Sequence, residues 1–426
     1  MATSTLKLEK LLSSESDKGI AMGSEKPLTG VKVLELASVL AGPSIGMFLA
    51  ELGAEVIKVE NLVTEGDVTR KWKLPTELAD TDISGYFSCV NWGKKSLAID
   101  ISKSEGLNIV YELVKQCDII LANYKPGDAE KLKVDYESFK KVNPKIIYSH
   151  VTGYGLKNQR AGFDAIIQAE SGFTFMNGEP DGPPTKMPVA LMDILAAHHH
   201  KEAILLALLQ RERGQGGCYI DASLFKAGLS SLVNQATNWL VGSRIPQRMG
   251  SDHPNIVPYG TIFSTSDGKE IVIAVGTEKQ FVELCTLLGH PELATSSKYS
   301  QNSSRVKNKV EINSILQELI IQYDRETILG MLAKRKVPAG GVFTMQEVFE
   351  TPEAQEMILE APLSEGTIKG VSTVAFSVNG NPLGGGITHP PRYGEHTYQI
   401  LCDELGMEFE EIENLISQNI VYAANK

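Results

Sequence analysis

The alternation of short apolar runs with helical segments in the first half of the chain is the feature that most limits its fold. Val31–Ala37 (VKVLELA) and Glu55–Glu60 (EVIKVE) are typical strands, and a helical stretch at Ser44–Leu52 lies between them. Three further strands are predicted at Ser96–Ile101, Asp118–Ala122 and Lys145–Val151. Strands that alternate with helices predict a parallel sheet covered on both faces, so the expected fold class is α/β.

The second half of the chain has a different pattern of predicted elements, which indicates a second domain. A chain of 426 residues is also too long for one ordinary hydrophobic core. Ile194–Arg213 is apolar on all sides near its middle and predicts a buried helix, and Leu224–Val241 predicts one long helix. Gly260–Ser264 and Glu270–Val275 predict an antiparallel hairpin. We expect a mobile tail at residues 1–26, a large Rossmann-like domain at 27–244, a smaller α+β domain at 245–345 and a return to the large domain at 346–426.

Charge and composition exclude several classes of protein. A net charge of −11 argues against a nucleic-acid surface, and no apolar run approaches the roughly 18 residues of a membrane helix. The five cysteines are scattered, which favours a reducing compartment over disulfides or a zinc site. The first 26 residues carry acidic side chains and no arginine. We therefore expect a cytoplasmic location, with the mitochondrial matrix as the alternative.

The first strand–helix–strand unit imitates a dinucleotide-binding motif, since a helix N-terminus can hold a phosphate and Glu60 a ribose hydroxyl. The turn, however, reads Ala41-Gly42-Pro43-Ser44-Ile45-Gly46 and lacks the GxGxxG pattern. Pro43 also removes one of the amides that such a cradle would use. The residues therefore favour a plain strand–helix corner over a nicotinamide nucleotide site.

Several short motifs become specific through their shared order and spacing. They are Val39–Pro43 (VLAGP), Asn123–Gly127 (NYKPG), Gly153–Gly155 (GYG), Gly162–Gly172 (GFDAIIQAESG), Gly178–Pro184 (GEPDGPP), Ala190–Asp193 (ALMD) and Gly394–Thr397 (GEHT). From about Pro27 to its end the chain resembles the class III CoA-transferase family, which also includes an acyl-CoA racemase. The resemblance implies a two-lobed subunit that interlocks with a second copy in a homodimer.

Asp193 is the residue on which the predicted chemistry depends. From the residues alone it predicts a helix N-cap. The resemblance places Asp193 at the position of the family's nucleophile and implies transfer of coenzyme A between carboxylic acids through an aspartyl anhydride and an aspartyl-CoA thioester. Coenzyme A is then a substrate, and no cofactor or metal is expected. Gly384–Gly386 and Gly250–Pro258 are candidate oxyanion donors, or ordinary connecting loops.

The coenzyme A site is predicted partly from the resemblance and partly from charge. By resemblance, Asn123 and Lys131 contact coenzyme A and the backbone of Ala41 lines its path. Lys131 stands where relatives have an arginine, so a bidentate guanidinium contact is replaced by the point charge of an ammonium group. Lys125 and Arg70 are further candidates because an acidic protein must supply local cations to phosphates; solvated surface charge is the alternative for both.

Two departures from the family pattern bear on the substrate. Leu40 stands where the formyl-CoA enzyme has a glutamine, which argues against formyl-CoA and oxalate. Asn61 stands where that enzyme has an arginine, which leaves part of nucleotide recognition unassigned. The stretch 164–184 and the VLAGP turn resemble the succinyl-CoA-dependent branch, so succinyl-CoA or a similar dicarboxylyl-CoA is the preferred donor.

Other functions remain as alternatives. An acyl-CoA racemase of the same family would carry a histidine thirty residues before the aspartate, where this chain has Phe163, which cannot transfer a proton. A non-catalytic acyl-CoA-binding protein is the second alternative. His198-His199-His200 could suggest a metal, but successive helical side chains diverge by about 100°, so three in a row cannot share one ion.

Overall fold

The computed structural model describes residues 26–363 and 366–424, and in its first half strands and helices alternate as the sequence predicted. The strands are β1 (Lys32–Glu35), β2 (Glu55–Glu60), β3 (Lys94–Ile99), β4 (Ile119–Ala122), β5 (Ile147–Thr152) and β6 (Cys218–Ser223). The helices are α1 (Ala41–Glu51), α2 (Gly85–Ser88), α3 (Ser104–Val114), α4 (Asp128–Lys131), α5 (Tyr136–Lys140), α6 (Asp164–Glu170), α7 (Phe173–Met176), α8 (Leu191–Glu212), α9 (Leu224–Ser230) and α10 (Val233–Leu240). A 3-10 helix at Val68–Lys71 follows β2.

The second half contains short strands and many helices. Its strands are β7 (Tyr259–Ser264), β8 (Glu270–Ala274), β9 (Ala339–Gly341), β10 (Ile358–Leu363), β11 (Gly366–Val371), β12 (Ser377–Val378), β13 (Asn381–Pro382) and β14 (Val421–Tyr422). Its helices are α11 (Glu278–Leu287), α12 (Glu292–Thr295), α13 (Asn302–Lys307), α14 (Lys309–Ile320), α15 (Arg325–Lys334), α16 (Met345–Phe349), α17 (Pro352–Gln355), α18 (Thr397–Asp403) and α19 (Phe409–Ser417). None of the described helices is long and apolar enough to cross a bilayer.

The largest sheet confirms the predicted α/β class. Its seven strands lie in the order β14-β3-β2-β1-β4-β5-β6, and only β14 pairs antiparallel, at the edge beside β3. The order reverses direction between β1 and β4, as in doubly wound folds. Beyond the carboxyl ends of these two strands the connections diverge and leave a crevice, which is where such sheets bind ligands.

Two apolar cores cover the two faces of this sheet. One core packs α1, α8 and α9 against it through residues such as Ile45 and Ile204. The other core uses α3, α5, α18 and α19, with Ile109 and Ile412 as examples. The strand β14 and helices α18 and α19 thus bring the end of the chain back to the large sheet. This return supports the predicted assignment of residues after 345 to the large domain.

A third core lies apart in sequence and surrounds the β7-β8-β9 sheet. Its buried members fall between Val257 and Val337 and come mainly from β7, β8, α11, α14 and α15. The strands β7 and β8 pair antiparallel, which confirms the predicted hairpin. The domain boundaries at 245 and 345 remain predictions that this separate core supports.

Two helices differ from the sequence prediction. The long helix expected at 224–241 is broken into α9 and α10, with Val233 at a φ of 44°. Helix α8 is buried on one side only, and Leu206 on its other side is 61% exposed in the single chain. On α10, Trp239 and Leu240 are exposed as well. All of the predicted mobile tail except Lys26 lies outside the described residues.

Candidate active site

The turn between β1 and α1 gives the crevice its shape. Val39 has a φ of 74°, and Leu40 precedes the helix at φ −136° and ψ −58°. Gly42 packs against Ala37 so closely that a β-carbon there would lie 2.3 Å from the Ala37 side chain. All eleven residues of α1 are buried. The first amides of a helix have no partner inside the helix, so the Ala41 end of α1 is available to an acceptor outside it.

Asp193 is the acidic side chain whose pKa the Ala41 amide lowers. It is the third residue of α8, whereas the sequence predicted an N-cap; the N-cap position belongs to Ala190. Burial raises the pKa of the Asp193 carboxyl, and the nearby Asp164 carboxylate raises it further. Backbone hydrogen bonds from Ala41 and from Asp193 itself act in the opposite direction, and the resulting pKa is about 7. The ionised form is therefore accessible at neutral pH, although less populated than in an ordinary aspartate.

Asp164 and Tyr86 complete the surroundings of Asp193, and neither was singled out from the sequence. Asp164 begins α6 and accepts hydrogen bonds from the Met192 amide at 2.8 Å and from the Gln168 side chain at 2.8 Å. Burial raises the pKa of the Tyr86 phenol to about 12, with a further contribution from Asp193. Tyr86 is therefore a neutral hydrogen-bond donor near two carboxylates. Only the tertiary fold brings it there, because it lies about a hundred residues earlier in the chain.

Asn123 lies across the crevice between β1 and β4. Its side-chain oxygen accepts from the Ser38 amide at 3.1 Å, and its side-chain nitrogen donates to the Ser38 carbonyl at 2.8 Å. The structure thus brings the predicted Asn123 and Ala41 to the same crevice. A cavity of about 330 Å³ opens beside it. Residues that line this cavity include Ala37, Ser38, Lys58, Glu60, Asn61, Asp67, Tyr124 and Leu132.

The three predicted cations differ in their positions. Lys131, on α4, has a side chain that is 76% exposed and an ion pair with Asp128 at 2.9 Å. Lys125 is also exposed, between β4 and α4. Arg70 is buried, and its guanidinium donates two hydrogen bonds to Glu60, at 2.8 and 2.6 Å. Because Arg70 is held inside the protein, neither predicted role, phosphate contact or solvated surface charge, fits its position.

The two glycine loops also differ. The Gly385 amide faces Glu51 at 3.5 Å, and the Gly385 carbonyl accepts from Lys26. Glu51 ends α1, about 15 Å from Ala41 at 1.5 Å per residue. Within one chain, the prediction that Gly384–Gly386 donates to an oxyanion at Asp193 is therefore wrong. The Gly250 amide donates to the Gly178 carbonyl at 3.0 Å, and an oxyanion role for its loop stays a prediction.

The residues that bear on the metal and racemase alternatives show no sign of either function. His200 is buried, with Nδ1 2.7 Å from the Ser149 hydroxyl and Nε2 3.1 Å from the Ala222 carbonyl oxygen. Neighbouring His199 faces Glu202 instead. In residues 26–363 and 366–424 there is no group of three side chains able to hold a metal ion. Phe163 is 65% exposed at the start of α6 and carries no exchangeable proton.

Comparisons with known proteins match most of the chain. The model of CoA-transferase family III matches residues 28–397. Succinate–glutarate CoA-transferase from Agrobacterium fabrum is 38% identical over 387 residues, covering 88% of this chain and 95% of that protein. Human succinyl-CoA:glutarate CoA-transferase is 36% identical, covering 94% of this chain and 91% of that protein. The crystal structure of a CAIB/BAIF family protein from Brucella suis superposes with a TM-score of 0.80 at 38% identity, covering 89% of this chain and 100% of that chain.

Proposed function

Because this chain belongs to CoA-transferase family III, as its motifs predicted, we propose that it transfers coenzyme A from succinyl-CoA or a similar dicarboxylyl-CoA to a second carboxylic acid, with Asp193 as the nucleophile. The observation that carries the proposal is the Asp193 carboxyl itself. It is held at the first turn of α8, its pKa is lowered by the Ala41 amide and raised by burial, and the resulting pKa is about 7. A carboxylate with a raised pKa is, once ionised, a better nucleophile than an ordinary aspartate, and about half of such a group is ionised at pH 7.

The reaction proceeds in four balanced steps. The Asp193 carboxylate attacks the thioester carbonyl of the donor, forms a mixed anhydride and releases the coenzyme A thiolate. The thiolate attacks the Asp193 carbonyl of the anhydride, which releases the donor acid and leaves an aspartyl-CoA thioester. The acceptor carboxylate attacks that thioester and forms a second anhydride with release of the thiolate. The thiolate then attacks the acceptor's carbonyl, which gives the new acyl-CoA and restores the Asp193 carboxylate.

The residues around Asp193 position the reacting groups. The Ala41 amide lowers the pKa of the Asp193 carboxyl, so it lies close enough to stabilise negative charge on this group when the thiolate attacks. One such donor contributes about 10²–10³-fold in rate. Tyr86 stays protonated and supplies a second donor beside the carboxylates. Asp193 is half-buried, which reduces the access of water and would help to protect an anhydride from hydrolysis.

Coenzyme A is placed in the crevice at the carboxyl ends of β1 to β4. The cavity of about 330 Å³ lies there, and Asn123 bonds to the backbone of Ser38, which lines the cavity. Lys131 and Lys125 flank this region on and before α4, where exposed ammonium groups can approach phosphates. Arg70 is omitted from the proposed site because its guanidinium is engaged with Glu60.

The dicarboxylic donor and the homodimer are further parts of the proposal. Both curated relatives described above are named for succinate or succinyl-CoA together with glutarate, which supports a dicarboxylyl donor. Apolar side chains are left exposed on α8 and on α10, including Leu206, Trp239 and Leu240, and a second subunit would cover them. This supports the interlocked arrangement that the family resemblance implies.

The test is intact-mass spectrometry after incubation with succinyl-CoA and no acceptor acid. We expect a covalent coenzyme A adduct on the wild-type chain that maps to the peptide holding Asp193 and is absent from Asp193→Asn. Glu202→Gln, an exposed carboxylate on the same helix, is the matched control and should form the adduct normally. An adduct that persists in Asp193→Asn, or no adduct with a series of dicarboxylyl-CoA donors, would overturn the proposed mechanism.

A further inference from the structure

A group of buried charges lies directly beneath the turn that presents the Ala41 amide. Glu35 on β1 is buried between Lys58 on β2, at 3.1 Å, and Lys94 on β3, at 2.8 Å. Lys58 also pairs with Asp67 at 3.0 Å. All four side chains are almost completely shielded from solvent. Burying four charges costs more than an apolar core of the same volume, so their presence calls for a reason other than stability.

Three members of this group, Lys58, Lys94 and Asp67, form hydrogen bonds with the backbone of the turn. Lys58 donates to the Ala37 carbonyl at 2.9 Å, and Lys94 donates to the Pro43 carbonyl at 2.8 Å. The Asp67 carboxylate accepts the Val39 amide at 3.1 Å. The charges therefore fix the turn at its beginning, its middle and its end.

Val39 is the point at which this restraint is most needed. Its φ of 74° lies in the left-handed region, which glycine adopts freely and which a β-branched side chain strongly disfavours. Such a conformation persists only where the surroundings impose it. The Val39 amide bonds to Asp67, so this carboxylate is the direct restraint on the strained residue.

We propose that Asp67 is a positioning residue of the transfer reaction: it holds Val39 in the left-handed conformation and thereby aims the Ala41 amide at Asp193. This rests on the proposed function of Asp193. Burial pushes the pKa of Asp67 up, but Lys58 and the hydrogen bonds from Thr69 outweigh burial, so its pKa is lowered and it stays an anionic acceptor.

The conformation of the turn determines the position of the Ala41 amide directly. Ala41 follows Val39 by two residues and begins α1, which is buried along its whole length. The Gly42 backbone lies against the Ala37 side chain, so the helix cannot move toward the strand to compensate for a relaxed turn. A displacement of about 1 Å at a reacting centre can cost about 100-fold in rate.

The experiment measures the rate of coenzyme A adduct formation at saturating succinyl-CoA in Asp67→Asn. We expect a fall of about 10- to 100-fold. Asp67 also lines the cavity, so KM is measured alongside: loss of a direct contact with coenzyme A would raise KM and leave the saturated rate unchanged, which would overturn the positioning role. Asp324→Asn is the matched control, because Asp324 accepts a backbone amide and a hydroxyl from Thr327 just as Asp67 does from Thr69.

Val39→Gly in the Asp67→Asn background separates positioning from stability. Glycine adopts the left-handed conformation without strain, so the double variant should fold even if Asp67→Asn alone does not, and it should recover several-fold of the lost adduct rate. A double variant that folds with the wild-type melting temperature and recovers no rate would overturn the proposal. If wild type forms the adduct and Asp67→Asn matches it, only this inference fails; if wild type forms none, the assignment of Asp193 fails.

Discussion

The pH dependence of adduct formation is the prediction that depends most directly on the geometry of Asp193. In the proposed mechanism the nucleophile is the Asp193 carboxylate. Burial together with the Asp164 charge holds the pKa of Asp193 at about 7 instead of its ordinary 3.8. Lowering the pH through 7 therefore removes the reactive form. The rate of the first covalent step should fall with it, in proportion to the ionised fraction.

The expected size of the effect follows from that pKa. At pH 5 about 1% of a group with a pKa of 7 is ionised, so the rate should be about 100-fold below its plateau above pH 8. An aspartate with the ordinary pKa would be more than about 90% ionised at pH 5, and its rate would be nearly constant from pH 5 to 9. The two cases differ by about two orders of magnitude at one pH.

The assay is a single turnover of enzyme with excess succinyl-CoA and no acceptor, quenched at intervals and read by intact mass. Loss of thioester without enzyme is measured at each pH and subtracted. A profile that is flat between pH 5 and 9 would refute the reasoning, because it would mean that Asp193 is ionised throughout or is not the nucleophile.

Asp164→Asn refines the same prediction. Removing the neighbouring negative charge should move the midpoint of the profile to lower pH. The midpoint should stay above 3.8, because burial, the larger cause of the raised pKa, is unchanged. A midpoint that rises in Asp164→Asn would contradict the assigned electrostatics.

Three further outcomes are expected. Arg70→Met leaves Glu60 as an unpaired buried charge and should lower the free energy of unfolding in urea by about 3–5 kcal/mol, while Lys71→Met, at an exposed ion pair, should change it by less than about 1 kcal/mol. Lys131→Ala should raise KM for acyl-CoA several-fold at low salt, less at high salt, with the saturated rate unchanged. Asp193→Asn should have a free energy of unfolding higher than that of wild type by up to about 4 kcal/mol above pH 7. This difference should shrink as the pH falls from 7 towards 4, because only the ionised form of Asp193 destabilises the folded state.

Elements with strong local signals could be predicted from the sequence. The β2 strand and the β7–β8 hairpin were predicted within a residue or two, because apolar periodicity and turn residues determine them locally. The break between α9 and α10 could not be predicted, since the apolar pattern of 224–241 continues through it. The exposure of Leu206 was also missed, because an apolar sequence does not show whether a neighbouring helix or a second subunit covers it.

The candidate site divides in the same way. The motifs pointed to Asp193, Asn123 and Ala41, and the fold brings the last two to one crevice while the Ala41 amide reaches Asp193. Arg70 was judged from charge alone, which does not reveal that Glu60, ten residues earlier, pairs with it inside the protein. Tyr86 comes near Asp193, and Asp67 near Val39, only in the tertiary fold, for which the sequence carries no periodic signal.

Several departures from ordinary structural rules lie together at the start of α1, and they bear on how the proposed nucleophile is positioned. The left-handed Val39, the buried Lys58 and Lys94 and the raised pKa of Asp193 all lie around the start of α1. In the third core, by contrast, α11 begins with an ordinary capping box. Strain and buried charge reduce stability, and proteins retain them where geometry matters more than stability. A carboxylate nucleophile needs that geometry, because its intrinsic reactivity is low and its rate must come from position.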